Sequence, residues 1–225
     1  PEQQHQFTTV EARRGEKSKI ILPDSSVVWL NAESSLRFAS ADFTGHRNVQ
    51  IKGEAFFSVT PHDNSSFHVK TRDYDIMVTG TKFNVMAYEN MNRTETTLVE
   101  GKVTILGKDQ VIDLKPEQKI TFSQGLYDIE QANIKQSTAW KNDIFHFDEI
   151  RMDELISQLE RWYDIDIHLA NKALEDEVYS GVFKNEETIW EVLEVIRMTT
   201  PIHYEKSGFR QITITHKSNP KTQSP

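Results

Sequence analysis

The hydrophobic pattern of this chain changes period once, near residue 137, and that change limits what it can fold into. Before it, apolar residues come in short runs broken by turn residues about every ten positions. Ile20-Ile21-Leu22 is followed by Pro23-Asp24-Ser25-Ser26, then Val27-Val28-Trp29-Leu30 and Asn31-Ala32. Val49-Gln50-Ile51, Ala55-Phe56-Phe57-Ser58-Val59, Phe67-His68-Val69, Asp75-Ile76-Met77-Val78, Lys82-Phe83-Asn84-Val85, Thr96-Thr97-Leu98-Val99 and Lys119-Ile120-Thr121-Phe122 continue the series. This pattern predicts an all-β domain over residues 7–137, either a sandwich or a twisted solenoid-like stack. Val99-Glu100-Gly101-Lys102-Val103 reads as a tight hairpin in which Gly101 is free to take positive φ. No stretch of this half has helical period.

After residue 137 the period lengthens. Met152, Leu155, Ile156, Leu159 and Trp162 or Tyr163 form one apolar helical stripe, with Asp153 and Glu154 in the first turn, where negative charge suits the helix dipole. Thr188-Ile189-Trp190-Glu191 matches a capping box and opens a second helix burying Ile189, Val192, Leu193 and Ile196. Runs around 144–147, 165–169 and 179–183 read as strands. Residues 202–205 and 211–215 read as a closing hairpin. The predicted order over 138–217 is β-α-β-β-α-β-β, a small α+β domain with both helices on one sheet. Residues 1–6 and 218–225 read as polar, flexible tails.

Composition removes several function classes. The formal net charge is −8, with 26 basic against 34 acidic residues. That excludes a general nucleic-acid binder or a ligand of anionic membranes, both of which need a basic face. The acidity is uneven: residues 1–137 hold 16 basic and 18 acidic side chains, residues 138–225 hold 10 and 16. There is no cysteine, hence no disulfide framework, thiolate metal site or thiol nucleophile. No run approaches the roughly 20 apolar residues of a spanning helix. The sequence opens Pro1-Glu2-Gln3-Gln4 without an initiator Met, which suggests a fragment or a mature form.

The search for chemistry returns little. There is no phosphate-binding loop, His-Glu-x-x-His or Gly-x-Ser-x-Gly. The eight histidines have no spacing that sets two imidazoles on one face; His146, His168 and His203 fall in separate predicted strands. No catalytic, cofactor-binding or metal-binding residue is therefore assigned. Asp24 and Asn31 are expected to hydrogen-bond their own turns. Glu54, beside Gly53 and ahead of an aromatic strand, reads as a hydrogen-bonded structural carboxylate. Glu175-Asp176-Glu177 and Glu186-Glu187 read as a solvated acidic face. Asn64-Ser65-Ser66 and Asn92-Arg93-Thr94 fit a glycosylation sequon but read as polar turns.

Two surfaces remain as partner-binding candidates. Trp190, Val195 and Met198 fall off the apolar stripe of the second helix, placing them either at an interface or against the neighbouring domain. The last strand, with Gln211, Thr213 and Thr215, is the candidate sheet edge, open to strand addition.

The motifs, taken in order, resemble the extracytoplasmic part of FecR-type transmembrane anti-sigma factors, the iron-dicitrate-sensor family, in its Bacteroidetes form. Residues 22–32 look like the family segment LPDGSxVxLNA. Residues 49–59 look like VxLxGEAyFxV, and residues 78–88 like VxGTxFNVxAY. Residues 98–103 and 114–118 resemble LxEGxV and LxPGQ. In the second half, residues 140–166 and the strand Tyr179-Ser180-Gly181-Val182-Phe183 also match. Ser25 and Glu117 stand where the motifs carry Gly, so those turns are expected to differ in type or carry strain.

The resemblance implies a periplasmic sensor without catalytic activity, part of a single-pass inner-membrane protein. Its implied partner is the N-terminal signalling domain of a TonB-dependent outer-membrane receptor. A cognate sigma factor would be held by a cytoplasmic domain absent from this chain and released to switch on nutrient-uptake genes. It implies for the second half a fold of the secretin/TonB short N-terminal type, and no direct small-molecule ligand. The alternative from a different class is a carbohydrate-binding or glycan-cleaving β domain. A hydrolase needs two carboxylates about 5–10 Å apart in an aromatic cleft, and Glu54 with Glu100 is the pair to examine.

Overall fold

The structure is a computed structural model and describes residues 7–40, 43, 45–62, 65–184 and 186–217. The two polar tails and Asn64 lie outside the described residues. The chain divides into two compact units, residues 1–141 and 142–225.

The first unit is one curled sheet of thirteen strands. In chain order they are β1 (Phe7–Ala12), β2 (Ser18–Ile21), β3 (Val27–Leu30), β4 (Ser34–Ala39), β5 (Arg47–Ser58), β6 (Phe67–Lys70), β7 (Asp75–Val78), β8 (Lys82–Ala87), β9 (Arg93–Glu100), β10 (Val103–Leu106), β11 (Val111–Leu114), β12 (Gln118–Ser123) and β13 (Leu126–Gln131). Twelve-residue β5 belongs to two wings. Its first half pairs with β4 and, in parallel, with β6. Its second half pairs with β3 and β8. Wing A runs β1-β4-β5-β6-β7-β10-β11, and wing B runs β2-β3-β5-β8-β9-β12-β13. The strand changes wing at Gly53, whose φ is +84°. A Cβ there would lie 2.3 Å from Ser34 Oγ and 2.7 Å from the Glu33 carbonyl oxygen, so only glycine lets the backbones approach this closely.

The inward-facing residues of both wings form one core. It includes Leu36, Val49, Ile51, Val69 and Ile105 of wing A and Val28, Leu30, Val85, Leu98 and Ile120 of wing B. Phe57 stacks on Phe83 at 4.9 Å and meets Phe67 edge-on at 6.2 Å, joining the wings through rings that gain from these geometries. Burial on β5 shows the same logic: it alternates over residues 47–52, while Ala55, Phe56 and Phe57 are all buried. Both faces of wing B are therefore covered along β5. The outer cover is the segment after β13, comprising α1 (Ile134–Thr138) and a 3-10 turn over Ala139–Asn142. No helical period was expected before residue 137; five residues capped by Asn133 are too few to show one.

The expected hairpin at 99–103 does not form. Gly101 does take positive φ, +95°, but β9 pairs with β8 and β12 whereas β10 pairs with β7 and β11. The turn carries the chain from wing B to wing A.

The second unit contains β14 (Ile144–Arg151), α2 (Met152–Tyr163), β15 (Asp166–Leu169), β16 (Val178–Lys184), α3 (Ile189–Thr199), β17 (Ile202–Gly208) and β18 (Gln211–His216). The strands form two sheets rather than one: β14-β16, and β15-β18-β17. Phe145, Phe147 and Phe183 from the first sheet and Ile167, Ile202, Ile212 and Ile214 from the second share a core with Met152, Leu155, Leu159, Val192, Leu193 and Ile196 of the helices. Period-2 alternation shows which face a strand buries, not which strand it pairs with. Arg161, at 4% exposure the one charged residue buried on α2, is invisible to an apolar-stripe reading.

Candidate functional site

Helix α3 starts as its sequence demands. The Thr188 hydroxyl accepts the Glu191 amide, and the Glu191 carboxylate accepts the Thr188 amide at 2.6 Å. The Thr188 amide first, and the Thr188 hydroxyl second, donate to the Glu191 carboxylate and hold it below its ordinary pKa. With Val192, Leu193 and Ile196 buried, the helix leaves Trp190, Val195 and Met198 exposed at 42%, 46% and 77%. At about 100° per residue, Trp190 and Val195 are about 140° apart with Met198 between them. They form a band around the outside of α3 rather than one flank. Its Trp190 end is built up by a neighbour: the indole stacks on Tyr204 of β17 at 6.1 Å. The Tyr204 hydroxyl donates to Glu194, which also pairs with Arg197; both lower the Glu194 pKa, Arg197 the more. By the same rotation from Trp190, Glu194, at about 40°, and exposed Glu191, at about 100°, lie within the band.

The edge-strand expectation for Gln211, Thr213 and Thr215 is corrected. β18 is the central strand of its sheet, paired in parallel with β15 (Asp166↔Gln211, His168↔Thr213) and antiparallel with β17 (His203↔Thr215). Its main-chain groups are engaged on both sides, so no strand can be added along it. Sequence order alone makes the chain's last strand look like an edge; a parallel partner 45 positions earlier occupies that place. Sequence reasoning also missed exposed Val178 and Val182 on β16, and Phe209 at the β17–β18 turn, 85% exposed. Strand parity in Tyr179-Ser180-Gly181-Val182-Phe183 held the signal for Val182, since Phe183 faces the core.

The carboxylate pair of the hydrolase alternative is not brought together. Glu54 lies opposite Met86 on β8, and Glu100 opposite Lys82. Four positions of strand separate these registers, about 13 Å, beyond the range for glycoside hydrolysis. Glu100 pairs with Lys82 at 2.6 Å on the surface. Glu54 accepts the side-chain amides of Asn31 at 2.7 Å and Asn84 at 2.8 Å, the structural role expected of it. Asn31 thus reaches across to β5 as well as bonding its own turn through the Ala32 amide. An open trough of about 590 Å³ lies beside Gly53, lined by Glu11, Arg13, Glu33, Lys52, Tyr88 and Glu89 among others. Neither Glu54 nor Glu100 lines it, and its one aromatic, Tyr88, is buried with its hydroxyl donated to the Ala32 carbonyl. Among the described residues, no group of three His, Asp or Glu is placed to hold a metal ion, and no helix is long and apolar enough to cross a membrane.

Known proteins account for both units. The family model described as FecR protein matches residues 8–104, and the one described as FecR, C-terminal matches residues 144–214. Two crystal structures assigned as anti-sigma factors from Parabacteroides distasonis ATCC 8503, at 1.65 and 2.50 Å resolution, are similar to the chain. They are 30% and 29% identical to it, cover 94% and 95% of it and 100% of their own chains, and superpose with TM-scores of 0.86 and 0.87. No curated protein sequence matches. Joined to the ordered motifs of residues 22–118 and 140–183, these matches show that the chain belongs to the FecR family of anti-sigma factors.

Proposed function

We propose that this chain is the periplasmic, signal-receiving part of a single-pass anti-sigma factor. The second unit receives the N-terminal signalling domain of a TonB-dependent outer-membrane receptor through the band on α3. That contact leads to release of a sigma factor held by a cytoplasmic domain not included in these 225 residues, and so to transcription of nutrient-uptake genes. The observation that carries this reading is the match over both units to proteins assigned as anti-sigma factors. The surface adds to it: Trp190, Val195 and Met198 are exposed apolar side chains, Trp and Met being types enriched at interfaces, with the Glu191 and Glu194 carboxylates among them. Such a role asks for a surface and no catalytic group.

Calorimetric titration with the signalling domain of the receptor encoded beside this protein tests it. Micromolar binding, about −8 kcal/mol, is expected for the wild-type chain and its loss for Met198→Glu. A folded chain that does not bind overturns the reading.

A further inference from the structure

The segment that leads out of the first unit is held mainly through one ring, Trp140, with a Thr97–Ser137 hydroxyl bond beside it at 3.4 Å. Helix α1 buries none of its residues. Ala139 and Trp140, at 7% and 6% exposure, are its anchors. The Trp140 indole N–H donates to Asn84 Oδ1 at 3.2 Å, and Asn84 Nδ2 donates to Glu54 Oε1 at 2.8 Å. The amide of Asn84 is thereby oriented, accepting from the indole and donating to the carboxylate. Lys141 sets its ammonium 3.5 Å from the Phe56 ring centre and 4.8 Å from that of Trp29, a cation–π arrangement. Its pKa is pushed down by burial first and by nearby Lys82 second. Beneath the segment, β5 and β8 are in register over six residue pairs.

We propose that residues 134–142 are a releasable strap, locked by Trp140 on the Asn84–Glu54 pair, whose release loosens β14 and so links the state of the second unit to the first. The covalent path between the units runs through this segment, since the second unit begins at residue 142 and β14 at Ile144. The balance of contacts makes the strap separable from the sheet. Opening it gives up the Trp140 indole bond, the Thr97–Ser137 hydroxyl bond, the Lys141 cation–π site and the burial of Ala139 and one large ring, Trp140, whereas opening wing B breaks a ladder and the whole core. It also uncovers Trp29 and Phe56. This role absorbs Glu54, the sequence's most suggestive carboxylate, as the base of the lock. The source of the signal rests on the proposed receptor contact; the strap itself does not.

Hydrogen–deuterium exchange on the whole 225-residue chain tests it, with Trp140→Phe as the variant because it keeps a ring and removes the N–H. In the wild type, amides of 134–142 are expected to exchange faster than those of β5 and β8. In Trp140→Phe they should exchange roughly tenfold faster again, the factor for one lost hydrogen bond, with β14 accelerated and β8 unchanged. Strap amides exchanging in step with β8 in both proteins overturn the strap. Acceleration of the strap without β14 overturns the link between units. In a second arm the receptor's signalling domain is added: no binding overturns the receptor reading alone, and binding that leaves strap exchange unchanged overturns the link.

Discussion

The guanidinium of Arg47 lies on the carboxylate of Asp24, with Nε and Nη2 both 2.8 Å from Oδ2 and neither side chain reached by solvent. Every strong group of the pair has a partner. Arg47 also donates to the Ser65 and Thr60 carbonyls, and Asp24 accepts the Ser26 amide and hydroxyl. The Ser26 hydroxyl in turn accepts the Thr60 amide. The pair ties the β2–β3 turn to the start of β5.

Asp24→Ala leaves the Arg47 cation buried without its counter-charge. A loss of about 3–5 kcal/mol is expected, as for other buried pairs broken on one side. Urea denaturation of the single and double variants measures it. Asp24→Leu with Arg47→Met should cost less than Asp24→Ala alone, because no charge is then stranded.

Ser25 and Glu117 both sit at φ +67°. Ser25 closes a Leu22–Ser25 turn as its fourth residue, and Glu117 is the third residue of a Lys115–Gln118 turn, a place that favours glycine. Relief of left-handed strain exceeds the entropy added to the unfolded chain. Ser25→Gly and Glu117→Gly should each raise stability by about 0.5 kcal/mol, read as a small rise in Tm.

Gly53→Ala should have the opposite sign. Its Cβ would meet both Ser34 Oγ and the Glu33 carbonyl, and main chain cannot step aside cheaply. A loss of about 2–4 kcal/mol is expected, checked by thermal melting. An unchanged Tm would mean that β5 does not turn at this residue.

Acid should weaken the helices of the second unit. Asp153 is held below its ordinary pKa chiefly by Arg151, and Glu191 and Glu194 are lowered as described. A carboxylate with a depressed folded pKa stabilises above its unfolded pKa, and that contribution fades as pH falls through the folded one. Helical circular dichroism should therefore decline below about pH 4. Glu191→Gln should start from lower stability and show a shallower acid limb.

What could be read from the sequence follows from where the information lies. The α2 and α3 stripes and the capping box at Thr188 are local, each set by residues within one turn of one another, whereas the glycine-type turns at Ser25 and Glu117 were legible only through the family motifs. Pairing is not local. Val99 through Val103 looked like a hairpin because adjacent runs usually pair, yet β9 and β10 join different wings. β18 looked like an edge because nothing near it in sequence declares a parallel partner. Arg47 gave no sign of its role, since Asp24 lies 23 residues away and a charged residue in an alternating strand reads as exposed. Trp140 was legible only as part of a family motif; its place depends on a second buried face of β5 that period-2 reasoning does not anticipate. The band on α3 was visible as three residues off the stripe, but the Tyr204 ring that props Trp190 comes from another element.

The sharing of β5 bears on how the first unit comes apart. A sandwich of two independent sheets can in principle lose one and keep the other as a partly ordered state. Here the twelve residues of one strand supply ladder partners to both wings, so fraying one wing to its centre removes the template of the other. Melting of this unit should be a single event by every probe. Fragments cut within β5 should not reassemble from separately folded halves, because neither half owns a complete sheet.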